Sequence, residues 1–176
     1  MDGSKKRVKV PILRALDGFT SGKNIIRWFD GGAQQNGEQS GAGRVIKISE
    51  HSSYKWTINC GHRTNIGVEL MGVWDLLTLA SRFSISEILV LGDSKIVIDW
   101  LKGKGSLKVV TLKCWKERIT YLIKMFRDIS FGHVYQEDNQ EADQLSKKVL
   151  LRHLGYIAYY LCEEGHEGPT IFLSLY

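Results

Sequence analysis

Four acidic residues stand out by where they fall in the chain: Asp30, Glu69, Asp93 and Asp143. Asp30 closes a short run of β-branched and aromatic residues, Ile25–Asp30, and Gly31-Gly32 follows it. Glu69 lies near the start of an amphipathic stretch. Asp93 comes directly after the apolar run Ile88–Leu91 and Gly92, and Asp143 lies in the first turn of the last amphipathic stretch. In an α/β sheet, strand ends and the helix starts beside them converge on one edge, where ligands bind. Carboxylates gathered there repel one another and need cations. An all-oxygen donor set favours Mg²⁺ or Mn²⁺ over softer metals. Two such ions about 4 Å apart can clamp the attacking water and the leaving oxygen of a phosphodiester. Each acid also has a plainer role open to it. Asp30 suits a turn, Glu69 and Asp143 suit a first helical turn, and Asp93 suits an N-cap.

The elements that must position these acids can be read from periodicity. Ile25–Asp30, Ala42–Ile48 and Tyr54–Asn59 are strand-like runs with short polar joints, which predicts an antiparallel meander. The period then changes to that of a helix. Leu70, Val73, Trp74, Leu77 and Ala80 make one apolar face, with Thr64 or Asn65 placed to cap it. Ile88–Leu91 reads as a strand buried on both faces. Helices are predicted over Ser94–Lys102, with Ile96, Val97 and Trp100 inward, and over Leu107–Phe126, with Leu112, Trp115, Ile119, Leu122, Ile123 and Phe126 on one stripe. A strand over Ile129–Val134 precedes a polar loop, Tyr135–Gln140. A helix over Glu141–Leu151 follows, with Ala142, Leu145 and Val149 inward. The order is βββαβααβα, with the later strands joining the sheet in parallel. Residues 1–23 read as a basic arm or linker, 24–152 as the α/β domain, and 153–176 as a C-terminal extension with the pattern of a hairpin.

Composition agrees with one globular domain and little else. The 176 residues are 43% hydrophobic and 24% charged, with a net charge of +5, which excludes long disorder, collagen and coiled coil as descriptions of the whole. No apolar run reaches the roughly 18–20 residues of a membrane helix, so no membrane role is expected. The basic first residues lack the apolar core of a secretory signal. Cys60, Cys114 and Cys162 are far apart and read as free thiols of a reducing, intracellular compartment. The charge is uneven. Residues 1–23 hold six bases against two acids, and residues 95–124 hold eight against two, a local excess that suits phosphate or simply a solvated helix face.

The segments FDGGAQQNGEQSGAGRVI, TNIGVEL, ILVLGDSKIVIDW and GHVYQEDNQEADQLSKKV, in that order, resemble those of type 1 ribonucleases H. The resemblance is strongest to the archaea-like form found in plants, including the ribonuclease H domains of plant LINE retrotransposons, and it spans about Ile25–Leu150. It implies a ribonuclease H-like α/β fold: a five-stranded mixed sheet, three antiparallel strands then two parallel, flanked by helices. It implies an endoribonuclease that hydrolyses the RNA strand of RNA–DNA hybrids with two Mg²⁺ or Mn²⁺ ions, and no small-molecule cofactor. By that likeness Asp30 bridges both ions. Asp143 holds the ion that activates water, and Glu69 and Asp93 hold the ion facing the leaving 3′ oxygen.

Further residues carry over with less force. His133 stands ten residues before Asp143, the spacing of a mobile His in many members, and it equally suits a structural His at a strand end. Gln136 replaces an Arg common in archaea-like members, and Asn139 matches an Asn that holds the loop. Thr64 matches a contact to DNA phosphate and Asn65 a contact to the RNA strand. Gly31 and Gly32 let backbone approach the hybrid. A basic protrusion seen in some relatives is missing, and Lys102, Lys104 and Lys108 lie where it would begin. The tryptophans read as core at their spacings. The resemblance also implies a place in a larger reverse-transcriptase polyprotein of a retrotransposon, acting in the nucleus, with the isolated domain a monomer. The alternative on the same fold is a weakly active or inactive nucleic-acid-binding module.

Overall fold

A computed structural model describes residues 25–33, 40–47, 49, 51–148 and 156–174. The basic arm at residues 1–23 lies outside the described residues, as do most of the polar joint after the first strand and the inward position given to Val149. The chain runs through β1 (Ile25–Ala33), β2 (Ser40–Lys47), β3 (Ser52–Asn59), α1 (Asn65–Arg82), β4 (Glu87–Gly92), α2 (Lys95–Leu101), α3 (Lys113–Ile123), β5 (Asp128–His133) and α4 (Gln140–Lys148). It ends in β6 (Tyr156–Glu163), β7 (His166–Glu167) and β8 (Ile171–Ser174).

The strands form one sheet in the order β5-β4-β1-β2-β3-β6-β7, with β8 also on β6. β1, β2 and β3 pair antiparallel, while β4 pairs parallel with β1 and β5 parallel with β4. This is the expected ribonuclease H-like α/β arrangement. The strand count differs from five because the C-terminal hairpin joins the sheet. β6 lies antiparallel on β3, from Ser52↔Glu163 to Ile58↔Ile157. β3 would otherwise present an open row of backbone donors and acceptors, which β6 satisfies.

Successive strand residues point to opposite faces, so each face has its own helices. On one face α1, α2 and α3 close over a core that includes Ile46, Ile58, Leu70, Leu76, Leu77, Val90, Ile98 and Ile119, all fully buried or nearly so. Thr64 caps α1, its hydroxyl accepting from the Gly67 N–H at 3.2 Å. The opposite face carries α4, whose Ala142 and Leu145 are buried. α4 lies so close to β2 that a Cβ on Gly43 would stand 2.3 Å from the Ala142 carbonyl oxygen and 2.4 Å from the Ser146 nitrogen.

Two helical expectations need correction. α3 begins at Lys113, after a 3₁₀ turn over Val110–Leu112, and ends at Ile123. The β-branched run Val109-Val110-Thr111 disfavours a longer helix. Ile96 is not inward but 57% exposed. α2 has only seven residues, and it buries Val97 and Ile98 instead. Trp56 is buried, and Trp74, Trp100 and Trp115 pack against the core as expected. All three cysteines are free. Among the described residues no helix is long and apolar enough to cross a membrane.

Candidate active site

Asp30, Asp93, Asp143 and Glu69 are delivered to one end of the sheet by four different elements. β1 and β4 run parallel, with Phe29 paired to Gly92. Asp30 and Asp93 therefore follow the same register pair, on chains about 4.8 Å apart. Across its other edge Asp30 pairs with Gly43. Gly43 is the residue against which Ala142 of α4 rests, and Asp143 is the next residue of that helix. α4 is thus seated beside Asp30 by the missing side chain at Gly43.

The end of β5 closes the next flank. His133 pairs with Gly92, its Nε2 lies 3.1 Å from the Asp93 carbonyl oxygen, and its ring meets Tyr135 edge-on. The Val134 N–H donates to the Gly92 carbonyl at 3.0 Å. These bonds tie the turn carrying Asp93 to the end of β5. Asn139 is buried, and its carbonyl accepts the Asp143 N–H at 3.1 Å.

Charge at the site is partly answered by the chain itself. Lys147 Nζ stands 2.6 Å from Asp143 Oδ2, one helical turn along α4. Glu69 is buried, at 7% exposure. It lies in the second turn of α1, and no acid occupies the first, so the first-turn role read for it does not apply. Asp93 does not cap α2 either; Ser94 holds the N-cap position without a side-chain bond. Asp143 does lie in the first turn of α4, beside Glu141. Among the described residues no three His, Cys, Asp or Glu side chains form a group able to hold a metal.

The predicted substrate contacts fall at the same end. Gly31 and Gly32 continue β1 beyond Asp30 and pair with Ala42 and Gly41. Thr64 and Asn65 are exposed at the start of the helix that carries Glu69. Arg63 and Arg118 both lie over the Trp115 ring, at 5.5 Å and 5.2 Å from its centroid. Lys102, Lys104 and Lys108 are exposed between α2 and α3.

Sequence reasoning missed one feature beside the site. Arg44 of β2 is fully buried and makes a 3.0 Å ion pair with Asp75 of α1. The Trp56 Nε1–H donates to the same Asp75 oxygen at 2.9 Å. The signal was an arginine inside an otherwise small and apolar strand, two residues from Ala42 on one side and from Ile46 on the other.

The strand order and the placement of the helices define a ribonuclease H-type domain. Comparison with known proteins supports that class. A family model described as reverse transcriptase-like matches residues 28–149, and the chain belongs to that family. Ribonuclease H1 of the archaeon Halobacterium salinarum superposes with a TM-score of 0.68 at 26% identity, over 72% of this chain and 97% of that one. The N-terminal ribonuclease H domain of Rv2228c from Mycobacterium tuberculosis gives 0.68 at 27% identity, over 73% of this chain and 94% of that one. LC11 ribonuclease H1 in complex with an RNA/DNA hybrid gives 0.67 at 25% identity, over 72% and 96%. The whole bifunctional protein Rv2228c is 30% identical over 130 residues, and the chain spans 35% of its length.

Proposed function

We propose that this chain is a divalent-metal-dependent endoribonuclease that cuts the RNA strand of RNA–DNA hybrids. What supports the reading is backbone placement: Asp30 and Asp93 follow one register pair, Asp143 lies on the helix seated on Gly43, and Glu69 lies on the helix packed against β1. The donor set fits Mg²⁺ or Mn²⁺, since it is all carboxylate oxygen. Asp30, Glu69, Asp93 and Asp143 would hold two such ions. When bound, the ions supply a more acidic water and neutralise charge on the phosphodiester.

The remaining work falls to the chain's own groups. Thr64 and Asn65, at the start of α1, hold backbone and 2′-hydroxyl groups of the hybrid. The 2′-hydroxyl is what distinguishes the RNA strand. Gly31 and Gly32 admit the duplex close to β1. His133, whose Nε2 lies 3.1 Å from the Asp93 carbonyl oxygen, acts at the rim during product release. A retrotransposon setting and a nuclear site of action belong to the same proposal.

The test uses end-labelled RNA–DNA hybrid, single-stranded RNA and duplex RNA, with Mg²⁺, Mn²⁺ or EDTA, on the wild type and Asp93→Asn. Cutting confined to the hybrid, abolished by EDTA and lost in the variant, is expected. Hybrid binding without cutting in either metal overturns the enzyme and leaves a binding module. Cutting that survives Asp93→Asn removes the carboxylate site.

A further inference from the structure

The buried Arg44–Asp75 pair has no part in the chemistry just described, yet it links the strand beside Asp30 to the helix that carries Glu69. Arg44 sits on β2 directly after Gly43, the register partner of Asp30, and itself pairs with Phe29. Its side chain crosses to α1. Nε donates to the Gly72 carbonyl at 3.0 Å, and Nη2 donates to the Met71 carbonyl at 3.4 Å. Nη1 pairs with Asp75 Oδ2 at 3.0 Å and donates to the Ala42 carbonyl of its own strand at 3.4 Å. Met71 and Gly72 belong to the turn of α1 that follows Glu69. One guanidinium therefore ties the strand beside Asp30 to the helical turn that follows Glu69.

We propose that Arg44 is a positioning residue of the carboxylate site, setting where Glu69 stands relative to Asp30. The inference rests on the metal-dependent reading of that site. A guanidinium is suited to this because its donors are fixed in one plane, so its bonds define an orientation as well as a distance. Asp75 holds the fork in place, and Trp56 holds Asp75. Stability alone does not account for the arrangement, because an apolar pair of similar volume fills such a space as well or better. Helix α1 has ample apolar contact on this face without it: Leu70, Val73, Leu76 and Leu77 are all fully buried.

The test compares the wild type with Arg44→Met/Asp75→Asn. This double variant removes both charges, keeps an oxygen for Trp56 and takes away the donors to Met71 and Gly72. Mn²⁺ binding is measured by isothermal titration calorimetry, folding by thermal melt, and cutting by initial rates on RNA–DNA hybrid. A cooperatively folded double variant is expected to bind Mn²⁺ about tenfold more weakly, the usual scale for a group supporting a metal ligand. Its kcat falls while KM for the hybrid holds. Asp75→Asn alone keeps the fork and is expected to retain Mn²⁺ affinity. A folded double variant with wild-type Mn²⁺ affinity overturns the proposal. If the double variant does not fold, Arg44→Lys is the second probe, since it keeps the charge and gives up the fork. Unchanged Mn²⁺ affinity there overturns the proposal equally. Asp93→Asn is the control on the site. If the wild type binds no Mn²⁺, or Asp93→Asn binds it as well, the site reading fails and the positioning role falls with it.

Discussion

The two faces of the sheet hold their helices by opposite means. On the α1 face the space is filled: large apolar side chains pack around a fully buried Arg44, which pairs with Asp75. On the α4 face space is withheld: Gly43 has no side chain, and the backbone of α4 comes down onto β2. A salt bridge at the margin of that face, Lys55 to Glu141 at 2.6 Å, joins strand to helix where Glu141 is half exposed. Each face delivers one helix-borne acid, Glu69 by specific bonds in the interior and Asp143 by close approach. The lesson is that a site assembled from both faces has two distinct modes of failure. Removing a partner hurts one face, and adding a methyl group hurts the other.

The largest effect is expected of Arg44→Met alone. It leaves Asp75 charged, buried and without its counter-ion, at a cost of about 3–5 kcal/mol. Urea unfolding reads the loss directly, and a loss below about 1 kcal/mol would show that Asp75 reaches water or another cation. Gly43→Ala attacks the other face. The added Cβ meets the Ala142 carbonyl and the Ser146 nitrogen, so about 1–3 kcal/mol is lost to overpacking. Displacing Asp143 by even 1 Å is expected to lower kcat about a hundredfold. Wild-type rates in Gly43→Ala would mean that α4 is not positioned by this contact.

A smaller effect sharpens the account of the α1 face. Trp56→Phe keeps the ring's bulk and deletes the indole donor to Asp75, which costs about 1–2 kcal/mol for a buried acceptor that loses a bond. The smallest effect belongs to the margin of the α4 face. Lys55→Met removes the salt bridge to Glu141 and costs below about 1 kcal/mol, since Glu141 is well solvated. Its pH dependence identifies it. Burial by itself lowers the Lys55 pKa, but the hydrogen bond and charge of Glu141, helped by Cys162 and Glu167, hold it above 10.5. A base whose folded pKa is raised stabilises the fold below its ordinary pKa and loses that contribution as pH rises through the raised value. The gap between wild type and Lys55→Met in urea melts is therefore constant from pH 7 to 9 and narrows above 10.5.

Much of this molecule was legible in the chain. The order of strands and helices through α4 followed from hydrophobic period, and the four acids were visible because each lies within a few residues of a strand end or a helix start. The parallel joining of β4 and β5 followed from helices placed between strands. The misjudged parts share a cause. Ile96 fits an apolar stripe, but in a seven-residue helix the neighbours decide which side is inward. The fate of the C-terminal hairpin depended on β3 having an open edge, which no local pattern announces. Near the hairpin, Tyr160 meets Glu167 at 3.1 Å, and burial with that carboxylate raises its pKa well above the ordinary tyrosine value.

By itself, then, the sequence determined which residues could do chemistry and at which ends of which elements they would stand. Period, turn residues and strand-end position are local properties of a chain, and the acids lie within a few residues of the signals that place them. Only the tertiary structure decided that Arg44 meets Asp75, that α4 settles on Gly43, and that β6 completes the edge of β3. Those are contacts between distant segments. They depend on the space left when helices close over a sheet, which is a property of the packed molecule rather than of any stretch of its chain.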